Sequence, residues 1–480
     1  MGRRAIQGRV RVALSGLAVA LLLAGVVGLG AIDGAASPLG LRPAGSASVP
    51  RAAPAGPVHR PTGAGTAAGG PVGGPAGGAT GRLAPILAQL DATLGGRAGC
   101  VAVEVAGSPA VTSGAGSGAG AALAPASAQK LLVAAAALAT LGPQHRFVTE
   151  VMASEPVVHG VAPHLWLVGS GDPMLATDAY LGLVLTHSHV PNPPVTPLDW
   201  LAQALRRAGI SSVPTGISGD DSLLSQRRYL PTWKPVYLSE GDVGPLSALS
   251  LDEGWAHWLS SWVPVADPPA YAAAGLSGLL RADGVAVGPT GPDGLAPVGA
   301  HPVASVTSAP LSAIVAYMLA TSDNHIAELL TRLVGAAVTG RGTTPAGTAA
   351  VLSVAAGLGV PTAGAVMVDG SGLSPENRAT CPELLAAYEL RHRPALAAIT
   401  SGVPVAGRTG TLYDLWQGPP LGGRLAVKGG WIDGVASMVG TFDGRRPVDF
   451  ALMMNGSFDY PTALSVQTRA ADAIAAWADR

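Results

Sequence analysis

Leu83, Ile86, Leu87, Leu90 and Leu94 recur at helical spacing, and Gly95-Gly96 stops the helix they predict. Cys100-Val101-Ala102-Val103-Glu104-Val105 then reads as a strand. The stretch 127–141 predicts a helix ended by Gly142-Pro143. Beyond its first turn it is apolar on every side, which places it at the centre of a domain. From 151 to 267 the pattern changes to short strands and many prolines, with one clear helix at 198–208. Two more helices, at 310–320 and 324–334, meet at Thr321-Ser322-Asp323, and Gly335 closes the second. Strands near 424–428, 435–442 and 448–454 precede a C-terminal helix at about 461–477. This order predicts an α/β (α+β) fold in which helices pack on an antiparallel sheet. Its first part would be 83–150 and its second part 268–480, with 151–267 as a smaller inserted domain.

Ahead of the first helix, Arg3, Arg4, Arg9 and Arg11 precede an apolar run at 12–32. A basic flank before such a run predicts a signal peptide or a membrane anchor at 1–32. The run of 21 residues is long enough to span a bilayer, and small residues at Ala35-Ala36-Ser37 suit cleavage, so both remain open. Segment 33–82 is mostly Ala, Gly, Pro, Ser and Thr and lacks the large apolar residues that offset ordering entropy. It is expected to be a disordered linker. The folded part is therefore expected outside the cytoplasmic membrane, secreted or anchored at its outer face.

Composition narrows the function. Net charge is −1 and aromatics make up 4% of 480 residues, so neither a basic field nor a stacking platform for nucleic acid is expected. Cys100 and Cys381 could pair in an oxidising compartment. There is no CxxC and no HExxH, and His187-Ser188-His189 lacks a third ligand, so no metal and no cofactor is predicted. Of 29 basic side chains only Lys130, Lys234 and Lys428 are lysines. Lysine, unlike arginine, can shed its proton and act as a base, so these three positions raise a specific chemical question.

Ser127-Ala128-Gln129-Lys130 opens the buried helix. Three positions apart, the hydroxyl and the amine share one face. A serine hydroxyl is a poor nucleophile without a base beside it, and an amine drawn into apolar surroundings loses its proton more readily. Ser322-Asp323-Asn324 lies where two helices meet and reads either as a helix cap or as a hydroxyl and an amide aimed into a cleft. Lys428-Gly429-Gly430 ends a strand, as a turn or as a place where a ligand approaches closely. Lys234, in Trp233-Lys234-Pro235, has no such company and reads as structural.

In this order the three motifs are S-x-x-K, S-D-N and K-x-G, the set of penicillin-binding proteins and β-lactamases. From about residue 83 onward the chain resembles the D-alanyl-D-alanine carboxypeptidase/endopeptidase family, the low-molecular-mass class C penicillin-binding proteins. The resemblance includes Pro125-Ala126-Ser127-Ala128-Gln129-Lys130-Leu131-Leu132, Leu167-Val168-Gly169-Ser170-Gly171-Asp172-Pro173, Ser247-Ala248-Leu249-Ser250-Leu251-Asp252 and Asp369-Gly370-Ser371-Gly372-Leu373-Ser374. It implies a β-lactamase/transpeptidase-like domain acting on peptidoglycan peptides and inhibited by β-lactams. Ser127 would attack the carbonyl of a terminal D-Ala-D-Ala bond, Lys130 would take its proton, and Ser322 would pass a proton to the leaving amine. Asn324 would hold the substrate amide, and Lys428 would supply positive potential for the substrate and the Ser322 hydroxyl. The oxyanion would sit on backbone N–H groups of Ser127 and Trp431, with Gly430 allowing the approach.

The family has K-T-G-T/S at the third motif, whereas this chain has Lys428-Gly429-Gly430-Trp431. Both hydroxyls for the substrate carboxylate are missing, and the indole is expected to crowd the cleft. Arg408-Thr409-Gly410-Thr411-Leu412 is read as the preceding segment, because Gly434 to Gly440 matches the stretch after the family's third motif. Two main readings stand: an active serine carboxypeptidase, or a wall-binding scaffold on a degenerate peptidase fold. A fast β-lactamase or esterase is a third, without a glutamate motif for deacylation.

Overall fold

The computed structural model describes residues 77–105, 110–114, 118, 120–258, 260–291 and 294–480. The expected export segment at 1–32 and most of the linker lie outside the described residues. The last linker residues do not, because the first helix already begins in Gly77–Leu94. Among the described residues no helix is long and apolar enough to cross a membrane.

Five strands pair antiparallel in the order Leu425–Ile432, Val435–Phe442, Val448–Asn455, Ala98–Val105 and Val111–Ser113. Successive side chains of a strand face opposite sides, and Ala98–Val105 accordingly feeds two cores. Val101 and Val103 face a layer made by Gly77–Leu94, through Leu83, Ile86, Leu90 and Leu94, and by the C-terminal helix Tyr460–Ala478. Cys100 and Ala102 face the larger core around Lys130–Leu141. That helix is buried from Lys130 to Leu138, and Leu311–Thr321, Asn324–Thr339 and Thr344–Gly357 pack around it. Contact on every side explains why it has no polar face. Cys100 and Cys381 form a disulfide that ties the strand to the first turn of Cys381–Glu389.

A second sheet has the order His301–Thr307, Val148–Ala153, Leu165–Val168 and Ile217–Asp220, the last pair parallel. Its core takes Leu201 and Leu205 from Leu198–Arg207, and Leu276 and Leu280 from Pro268–Ala282. The expected boundary at 267 falls before two of these elements, so the second core continues to Val306. The stretch 151–267 is also divided: Trp233, Tyr237, Val243 and Trp255 belong to the first core.

The helix after Ser322 corrects one reading. It runs through Gly335 to Thr339 and closes at Gly340, whose φ is 71°. A β-carbon on Gly335 would lie 2.7 Å from the Gly347 backbone nitrogen, so this glycine permits close helix packing rather than a stop.

Candidate active site

Ser127 does not open the buried helix directly. It stands in a 3-10 turn, Ala126–Gln129, and the α-helix starts at Lys130. In a 3-10 turn residues three apart eclipse one another, which brings the hydroxyl and the amine together. Ala126 takes a left-handed φ of 46°, unusual for a residue with a β-carbon. Ser127 is half-buried, while Ala128, Gln129 and Lys130 beside it are buried.

Lys130 is fully buried, and its Nζ donates at 2.9 Å to Ser127 Oγ, 2.7 Å to Asn324 Oδ1 and 2.6 Å to the Ser371 carbonyl. Burial pushes the amine down to about 8, against the opposing charges of Asp323, Asp369, Glu328 and Asp242. An uncharged amine can therefore accept the proton of Ser127 near neutral pH.

The Ser322 junction serves both readings at once. Asp323 caps Asn324–Thr339 by accepting from the Ile326 N–H at 2.9 Å. Ser322, at the left-handed end of Leu311–Thr321, and Asn324 flank that cap and reach the site. Asn324 Nδ2 donates to the Asp242 carbonyl at 2.8 Å, while its Oδ1 faces Lys130.

Lys428, Gly429 and Gly430 do not end a strand. They lie inside Leu425–Ile432, paired with Val439, Met438 and Ser437, so the turn reading fails. Lys428 Nζ is buried and donates to Ser322 Oγ at 2.9 Å and to the Gly429 carbonyl at 2.6 Å. Burial, then the charge of Lys130, pushes its amine well down. On the same face, a β-carbon on Gly430 would lie 2.8 Å from the Ser127 nitrogen and 2.9 Å from the Pro125 carbonyl. Only glycine lets the strand lie this close to the Ser127 turn.

Gly429 and Trp431 alternate to the other face. The indole packs at the layer of the C-terminal helix, 5.9 Å from the Phe458 ring and 5.4 Å from the Tyr460 ring, between centroids. The expected crowding of the cleft by this side chain is thereby corrected. Ser127, Lys130 and Asn324 thus form one connected group, Ser322 and Lys428 a second, and Gly430 presses the strand onto the first.

The model of the D-Ala-D-Ala carboxypeptidase 3 (S13) family matches residues 79–258 and 255–480. The chain belongs to this family. It is similar to carboxypeptidase Rv3627c of Mycobacterium tuberculosis, at 33% identity over 69% of this chain and 71% of that protein. It is also similar to the D-alanyl-D-alanine carboxypeptidase of Actinomadura sp. strain R39, at 28% identity over 74% and 77%. The fold is that of penicillin binding protein 4 from Haemophilus influenzae, with a TM-score of 0.69 and 20% identity over 82% of this chain and 99% of that one. The protein is accordingly a serine-type carboxypeptidase of the penicillin-binding class.

Behind the five polar groups, this S13 chain carries a loop at 369–374 that motif spacing did not assign to the site. Asp369 accepts from the N–H groups of Gly372 at 2.9 Å and Ser374 at 2.6 Å, from Asn377 Nδ2 at 2.8 Å and from Trp233 Nε1 at 2.9 Å. The loop so fixed offers the Ser371 carbonyl to Lys130, and Gly372, at φ 85°, abuts the Ala126 carbonyl. Its glycines and serines were visible in the sequence, but its neighbour Lys130 is 241 positions away. Lys234 forms an ion pair at 2.8 Å with Asp433, in the turn after the Lys428 strand. Elsewhere, ligand atoms of Glu389, His392 and Asp449 lie within 4.8 Å of one another. Arg391 already pairs with both carboxylates there, at 2.5 Å and 2.8 Å, and supplies the positive charge.

Proposed function

We propose that the protein cleaves the terminal D-Ala-D-Ala bond of peptidoglycan stem peptides through an acyl-enzyme on Ser127. The observation that carries this reading is the buried Lys130 amine, 2.9 Å from Ser127 Oγ. Ser127 Oγ attacks the carbonyl carbon and its proton passes to Lys130 Nζ. The oxyanion rests on the backbone N–H groups of Ser127 and Trp431, a type of donor commonly worth about 10²–10³ in rate. As the C–N bond breaks, Ser322, oriented by Lys428, delivers a proton to the leaving amine and regains one from Lys130, which returns the lysine to its uncharged form. Water then hydrolyses the ester and frees Ser127. Asn324 holds the substrate amide, and Lys428 Nζ, which already donates to Ser322 Oγ, offers a hydrogen-bond donor to the substrate carboxylate. The reaction belongs outside the cytoplasmic membrane, where its substrate lies, and the second-sheet core, drawn from segments between 148 and 307, is the insertion between the two halves of the catalytic domain.

A labelled penicillin attaches to the wild type and fails to attach to Ser127→Ala. Absence of label on the wild type at any practical concentration would sink the proposal. Peptide binding without turnover is the competing account, motivated by the missing hydroxyls. D-alanine release from a pentapeptide, lost in Lys130→Ala, decides against it. Supplying a cross-linked peptide as substrate separates endopeptidase from carboxypeptidase action.

A further inference from the structure

Glu328 lies one helical turn beyond Asn324 and is fully buried. Its Oε1 accepts from the N–H of Gly370 at 2.9 Å and of Ser371 at 2.7 Å. The carbonyl of that same Ser371 accepts from Lys130 Nζ at 2.6 Å. The Ser371 side chain also favours the charged carboxylate, and among the described residues Oε2 has no further hydrogen-bond partner. Burying a carboxylate in this way is costly. An uncharged amide would accept the same two N–H bonds, so anchoring the loop does not by itself explain an acid here.

We infer that Glu328 is a positioning residue for Lys130: through Ser371 it fixes the carbonyl that orients the amine, and its negative charge adds to those that hold the proton on Lys130. The inference rests on the proposed roles of Ser127 and Lys130. Other charges act on the amine too, Asp323 and Asp369 more strongly than Glu328 and Asp242 less, and His325 is buried on the same helix as Glu328. Of the helices packed on Asn324–Thr339, Lys130–Leu141 brings only Lys130, Leu311–Thr321 only Tyr317, and Thr344–Gly357 no ionisable side chain. The loop brings Asp369, and Asp323 and Asp242 also act on the Lys130 amine. Arg332, on the next turn, directs its N–H groups to Thr344 Oγ1 at 3.1 Å and to the carbonyls of Ser225 at 2.8 Å and Arg227 at 2.6 Å. Burial and then the charge of Asp369 raise the Glu328 carboxyl above its ordinary range, while the charge of Glu328 opposes the desolvation of Lys130.

The test is the rate of labelled-penicillin attachment as a function of pH. Glu328→Gln keeps an acceptor for Gly370 and Ser371 but removes the charge. Lys130 then loses its proton more easily, and the acid limb of the profile moves to lower pH by about 0.5–1 unit. Glu328→Asp keeps the charge but shortens the reach, so the plateau rate falls while the midpoint moves less. A labelled wild type with an unmoved midpoint in Glu328→Gln overturns the inference and leaves the proposed function intact; an unlabelled wild type overturns both. Should Glu328→Gln fail to fold, difference infrared spectra of the wild type before and after acylation decide. A change in a buried carboxyl band supports the coupling, and its absence overturns it.

Discussion

A lysine amine serves as a base only where its charged form is penalised, and Lys130 meets that condition by burial at the start of an apolar helix. Because its amine is pushed down to about 8 rather than raised, the neutral form is lost as pH falls. Acylation by penicillin should therefore rise with pH around a midpoint near 8 and decline tenfold per unit well below it. A stopped-time labelling series across pH checks this; a rate flat from acid to alkaline pH would remove Lys130 as the base. The pairing of Ser127 with Lys130 was legible because it is local, three positions apart. The carbonyl of Ser371 and the amide of Asn324, which complete the amine's environment, were not legible from spacing, because they arrive from 241 and 194 positions away.

Among the secondary-structure elements, the strand Leu425–Ile432 decides whether the site closes. Alternation sends Lys428 and Gly430 to the Ser127 turn and sends Trp431 to the opposite face. Gly430→Ala would place a methyl 2.8 Å from the Ser127 nitrogen and closer still to Ser437 Oγ. We expect it to abolish penicillin labelling and to cost about 1–3 kcal/mol of stability in denaturant titration. Gly429→Ala meets nothing nearer than 4.0 Å and should keep both. Equal damage from the two substitutions would contradict the assigned faces. The sequence suggested a strand ending at Lys428 because two glycines in succession read as a turn. Pairing with Val435–Phe442 carries the strand through them, since that neighbour supplies the ladder for all eight positions.

Across the fold, the disulfide closes a loop whose ends lie 281 positions apart and joins the central sheet to the helices behind it. Cys100→Ser with Cys381→Ser should lower stability by about 2–4 kcal/mol, read as an earlier midpoint in denaturant, while the folded fraction still takes up penicillin. An unchanged midpoint would show that packing alone holds the two layers. The two-core arrangement was only partly readable. Helical and alternating patterns located the main sheet and its helices, because burial on one face leaves a periodic trace in the chain. The segment read as an insertion at 151–267 holds only part of the second sheet, since His301–Thr307 joins it by pairing with Val148–Ala153.

Local chemistry was written in the chain itself: a hydroxyl three positions before an amine, a buried helix without a polar face, and lysine kept at three positions where arginine prevails. These depend on neighbours in sequence, so composition and spacing determine them. The meeting of Lys428 with Ser322, the support of Lys130 by the loop at 369–374 and the turning away of Trp431 arose only on folding. Each depends on contacts between distant segments, and strand pairing and core packing, rather than any local preference, select those contacts.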